Sequence, residues 1–88
     1  MPPVARLGDH SDHGGVIVGP CSPTRTADGI LVARLGDMHS CPIPGHGTTP
    51  IVTASATATV DDIPLARIGD KTGCGATISE GSPTWSDG

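Results

Sequence analysis

The sequence predicts an all-β fold in which three β-hairpin units close into a ring with pseudo-threefold symmetry. One observation is compositional: 13 Gly and 9 Pro among 88 residues leave little uninterrupted chain for helices. A second is the supply of Thr, Val and Ile, which favour strands, with neither Phe nor Tyr and with Trp85 as the only aromatic residue. The third is a repeat, VARLGD at residues 4–9, VARLGD again at 32–37 and LARIGD at 65–70. Disorder fits poorly, because a net charge of −4 and the lack of long polar runs are not its signature.

The elements follow from aligning the repeats. Residues 22–37 (SPTRTADGILVARLGD) and 55–70 (SATATVDDIPLARIGD) match without a gap. Each reads as a Thr-bearing strand, an Asp-Gly or Asp-Asp turn and a second strand ending at Arg-Leu-Gly-Asp or Arg-Ile-Gly-Asp, which is a β-hairpin pattern. The remaining copy is split between the two ends of the chain. Residues 82–88 (SPTWSDG) supply its first strand and turn, and residues 1–6 (MPPVAR) its second strand. The ends are therefore expected to meet and close the ring. An open stack of β-turns would instead need capping units, which the sequence does not offer. The expected organisation is a single domain over residues 1–88, with repeats at approximately 1–21, 22–54 and 55–88.

Between hairpins the connections differ. The stretches from Asp9 to Ile17 and from Asp70 to Ile78 are equally long, whereas that from Asp37 to Ile51, the loop MHSCPIPGHGTTP, is longer. The aspartates at Asp9, Asp37 and Asp70 read as turn-makers accepting backbone N–H bonds. Arg6, Arg34 and Arg67 recur beside them and are expected to pair with acidic residues or the backbone.

Charge and length exclude several classes. Five Lys and Arg against nine Asp and Glu leave no basic stripe for nucleic acid. Residues 1–9 carry no charged and apolar leader pattern, and no apolar run is long enough to span a bilayer. Three Cys cannot pair completely within one chain, so thiols or metal-bound thiolates are expected rather than a disulfide framework.

With so thin an apolar supply, something besides burial must hold the chain together. Aligning on Gly-Asp puts His13, Cys41 and Cys74 at one repeat-equivalent position, the fourth residue after each aspartate. In a threefold ring such positions converge near the axis, and the enlarged middle loop can bring His39 and His46 to the same point. Imidazoles with one or two thiolates suit tetrahedral Zn²⁺, and Mg²⁺ or Ca²⁺ would want oxygen ligands. Metal affinity would then supply folding free energy. His10, without a repeat equivalent, reads as a solvated side chain, and Cys21 as a packed small residue.

The strands ending in Val4-Ala5-Arg6, Val32-Ala33-Arg34 and Leu65-Ala66-Arg67, each followed by Gly-Asp, resemble the PAAR-repeat family. So do His13-Gly14-Gly15, His39-Ser40-Cys41-Pro42 and Cys74-Gly75-Ala76. The likeness covers essentially the whole chain, although the name-giving Pro-Ala-Ala-Arg is changed at its first two positions. It implies a small β-cone with one zinc per chain near the apex, iron being the lesser alternative. Carried over residue by residue, it places the ligands at His13, His39, His46 and Cys74, with Cys41 as the alternative thiolate; the alternative set is His13, Cys41, His46 and Cys74.

The resemblance further implies a structural tip that caps and sharpens the trimeric, VgrG-like spike of a type VI secretion system or related contractile injection machine. One chain, monomeric by itself, would serve each trimer. Contact with the target membrane would be transient, effectors would be further partners, and nucleic acid is not expected. Relatives often carry a toxin after the cone, and none follows within these 88 residues. Assembly is expected in the cytoplasm, with export on the spike rather than by a Sec signal. A small zinc hydrolase is the competing class; it would need an open coordination position and a general base, and the only Glu, Glu80, stands apart from the cluster, so no enzyme is expected.

Overall fold

A computed structural model describes residues 2–86. It contains strands β1 (Val16–Gly19), β2 (Thr26–Ala27), β3 (Ile30–Leu31), β4 (Met38–Ser40), β5 (Thr48–Pro50), β6 (Thr59–Val60) and β7 (Ile63–Pro64), and no helix among those residues. The fold is all-β and built from the hairpin units that the repeat implies.

The hairpins form where the alignment puts them. β2 pairs with β3 through Thr26–Leu31 and Ala27–Ile30, and β6 with β7 through Thr59–Pro64 and Val60–Ile63. Their two-residue turns, Asp28-Gly29 and Asp61-Asp62, have positive φ at both positions, as a type I′ turn needs to match the strand twist. The split hairpin is completed across the chain ends. Ser86 bridges Pro3, and the Val4 N–H donates to the Trp85 carbonyl at 2.9 Å. Its expected turn, with Met1, Asp87 and Gly88, lies outside the described residues.

Three alanines mark the axis. The Ala5 N–H donates to Ala66, Ala66 to Ala33 and Ala33 back to Ala5, at 2.9, 3.0 and 2.9 Å. A cycle of three bonds passing the backbone from unit to unit needs side chains no larger than methyl beside the axis, and all three alanines are fully buried. The hairpin side of this ring is filled by Val4, Val32, Leu65, Ala27 and Val60, with Trp85 and Ala58 at the margin. The opposite side is filled by Ile17, Ile51 and Ile78 with Cys21.

Beyond the isoleucines the chain forms a closed six-segment belt. β1 pairs with β4 and β4 with β5. Bridges Ile51–Thr72, Lys71–Thr77, Ser11–Ile78 and His10–Val16 carry the pairing round to β1. Closure leaves no unpaired sheet edge in this belt. Its buried layer is polar: Ser11, His39 and Thr72 stand at repeat-equivalent positions two residues after each Gly-Asp aspartate.

The Arg-Leu-Gly-Asp or Arg-Ile-Gly-Asp turns hold these layers in register. The carboxylates of Asp9, Asp37 and Asp70 accept the backbone N–H of Arg6, Arg34 and Arg67 at 2.7, 2.6 and 2.7 Å. Each aspartate is buried, so these are turn-makers within the framework.

Candidate metal centre

Four side chains from all three units meet past the polar layer: His13, Cys41, His46 and Cys74, whose ligand atoms lie within 4.8 Å of one another. The Cys41 Sγ is 3.4 Å from His46 Nδ1 and 3.8 Å from His13 Nδ1. The His13 and His46 rings lie 5.2 Å apart between centroids, tilted by 52°.

Local backbone explains how each arrives. His13 sits in a tight turn in which the Ser11 N–H reaches the Gly15 carbonyl and the Gly14 N–H the Ser11 carbonyl. Cys74 occupies the same turn in the third unit, closed by Thr72 to Ala76 and Gly75 to Thr72. In the second unit the enlarged loop folds back on itself, Cys41 N–H bonding the Gly47 carbonyl and His46 N–H the Ile43 carbonyl, which lays His46 beside Cys41. Gly15 permits the close approach of the first loop to β4: a Cβ there would lie 2.3 Å from the Ser40 carbonyl oxygen and 2.7 Å from His39 Nε2.

The set first expected from family resemblance, His13, His39, His46 and Cys74, is therefore not the group brought together. His39 is fully buried one layer below, its Nε2 hydrogen-bonded to Ser11 Oγ at 2.7 Å, and Cys41 occupies the fourth place. Strand register is the reason. His39 follows its Gly-Asp aspartate by two residues, like Ser11 and Thr72, whereas Cys41 follows by four, like His13 and Cys74. The signal that identifies Cys41 was in the sequence, in that repeat-equivalent spacing. His10 pairs with Glu80 at the surface, and Cys21 is packed in the core.

The donors fit a divalent metal. For tetrahedral zinc, bond lengths of about 2.3 Å to sulfur and 2.0–2.1 Å to nitrogen put ligand S and N atoms about 3.6 Å apart, between the two Cys41 distances. The Cys74 thiol is brought down to about 5, first by the Thr72 hydroxyl hydrogen bond, against partial desolvation, with help from the Ala76 backbone and from Thr49 and His46. The shift favours the thiolate, the form that binds metal. Burial pushes the Cys21 thiol the other way, up to about 12, with the Asp37 charge adding to it. Two imidazoles and two thiols at one point can hold a metal ion, while Cys21 is a packing group.

A family model for the PAAR motif matches residues 3–84. No curated protein matches the chain at significant similarity.

Proposed function

The chain belongs to the PAAR-motif family, and from that premise we propose that it caps and sharpens the trimeric spike of a type VI secretion system or related contractile injection machine. The observation that carries this reading is the alanine cycle on the axis. A single chain seated on the end of a homotrimer can meet all three receiving surfaces alike only if its own base repeats about the same axis. Here one chain repeats its hairpin three times about Ala5, Ala33 and Ala66.

The hairpin end is the docking face in this reading. It offers strand backbone and the half-exposed Ile30 and Ile63, with Trp85 at its margin. The loops bearing His13, Cys41, His46 and Cys74 lie at the other end and form the point. Zinc is the metal proposed there, one ion per chain, held by two imidazoles and two thiolates. When bound it supplies no reaction; it ties loops from three units together, which a fold with so small a core needs at the end that meets resistance. A cytoplasmic assembly stage followed by export on the spike, and brief contact with the target membrane, complete the proposal. Four protein donors leave no obvious coordination position for a substrate, so the role proposed is mechanical.

Mixing the purified chain with its cognate spike trimer and measuring mass by light scattering tests this. One chain per trimer is expected. Three chains per trimer, or docking abolished by a well-folded His46→Ala variant, would overturn it.

A further inference from the structure

The polar layer and the metal point are joined through the order of residues along the chain. Ser11, His39 and Thr72 stand two residues before His13, Cys41 and Cys74, so each unit contributes one residue to the layer and then one donor to the point. In the third unit both belong to one tight turn, with the Thr72 N–H bonded to the Ala76 carbonyl at 2.9 Å and the Gly75 N–H to the Thr72 carbonyl at 3.0 Å. That turn brings Thr72 Oγ1 to 3.2 Å from Cys74 Sγ. In the first unit the repeat-equivalent hydroxyl, Ser11 Oγ, lies instead 2.7 Å from His39 Nε2.

The direction of the sulfur contact follows from the chemistry of the donors. A thiol that ligates a metal has lost its proton, so in the loaded centre the Thr72 O–H is the donor and the Cys74 sulfur the acceptor. A hydrogen bond to an anionic acceptor is stronger than one between neutral groups. Thr72 is 3% exposed, so bulk water does not compete for the hydroxyl. Cys74 is also held at its backbone, where its N–H donates to Thr49 Oγ1 in β5 at 3.2 Å. Gly73 lets the turn rest there, since a Cβ on it would lie 3.1 Å from the Thr49 Cβ. Two threonines from different segments therefore fix Cys74, one at the amide and one at the sulfur.

We propose that Thr72 is a positioning residue of the metal centre, its hydroxyl aiming the Cys74 thiolate at the point shared with His13, Cys41 and His46 and offsetting part of the sulfur's charge. The inference rests on the zinc reading above. Within the polar layer the roles then divide: Ser11 and His39 bond each other, and Thr72 turns toward a ligand.

Zinc affinity, measured by competition with a chromophoric chelator, and the absorption spectrum of the cobalt-loaded chain test this together. Thr72→Val keeps the branched shape and removes the hydroxyl. It should weaken zinc binding by about 10–100-fold and shift the sulfur-to-cobalt charge-transfer band, a signature that a packing role would not move. Thr72→Ser keeps the hydroxyl and should restore most of both. An affinity in Thr72→Val equal to that of the natural chain overturns the proposal, and so does weaker binding with the band unmoved, which would be packing alone. Should Thr72→Val not fold, Thr72→Ala is read by the same criteria. A natural chain that binds neither metal would take away the zinc reading itself, and the proposal with it.

Discussion

At the scale of single residues, His39 in β4 and Cys41 just after it have opposite roles. Cys41 faces His13 and His46, and His39 faces Ser11. Cys41→Ser should therefore lower zinc content from about one per chain to a minor fraction, since a structural site closed by four ligands loses both a donor and its charge. His39→Gln should keep the metal and lose about 1–3 kcal/mol of stability, because the ring's packing and the bond to Ser11 both go. Elemental analysis with parallel thermal melts separates the two; metal loss in His39→Gln with retention in Cys41→Ser would reverse the assignment. Asp62 is a second informative residue. It is exposed with φ of +63°, in the turn position where the other complete hairpin has Gly29. Asp62→Gly is expected to stabilise by about 0.5–1 kcal/mol by relieving the left-handed strain. An unchanged or lower melting temperature would count against that reading.

At the scale of elements, the hairpins are tied to each other by side chains more than by their own short ladders. The carboxyls of Asp61 and Asp28 are held below the usual carboxylate range, Asp61 by Ser22 and then Thr24, Asp28 by Ser82 and then Thr84. A depressed folded-state value means that each contributes stability at pH above the unfolded value, about 3.9, and loses it as pH falls through the folded value. The gap in melting temperature between the natural chain and Asp61→Asn should accordingly be full near neutrality and close below about pH 4. A gap that stays constant into acid would show that the cost of the variant is not electrostatic. Both acids are exposed at the surface, so salt should narrow the gap as well.

At the scale of the whole molecule, two separate fasteners compensate for a small apolar interior. One is the alanine cycle with its flanking valines, leucine and isoleucines, and the other is the four-donor point. Removing metal with a chelator should lower the melting temperature markedly, since saturation at 100 times the dissociation constant is worth about 2.7 kcal/mol. An unchanged melt after verified metal removal would mean that the cluster does not staple the fold. The closed ring makes a further prediction. Because Ser86 and Pro3 are paired, a short linker joining the ends and a new opening between Asp28 and Gly29 should give a folded permutant that binds metal. Circular dichroism and metal content report on it, and an unfolded product would contradict closure through the terminal strands.

Much of this architecture was determined by the sequence alone. Three Arg-Leu/Ile-Gly-Asp copies dictate three equal units, because identical local patterns make identical turns and hairpins. The split third copy dictates that the ends meet, since a lone edge strand at each terminus would leave its backbone unpaired. The spacing from Gly-Asp likewise puts His13, Cys41 and Cys74 in one layer. What only the tertiary structure decided is depth along the axis and the path of the long loop. Successive inward-facing positions along one extended segment lie in different layers, so His39 in β4 and Cys41, two residues on and past its end, lie in a polar belt and at the metal point respectively. His46 has no repeat equivalent to locate it; the return of the loop from Gly47 to Cys41 does that, through a backbone bond that no local pattern specifies.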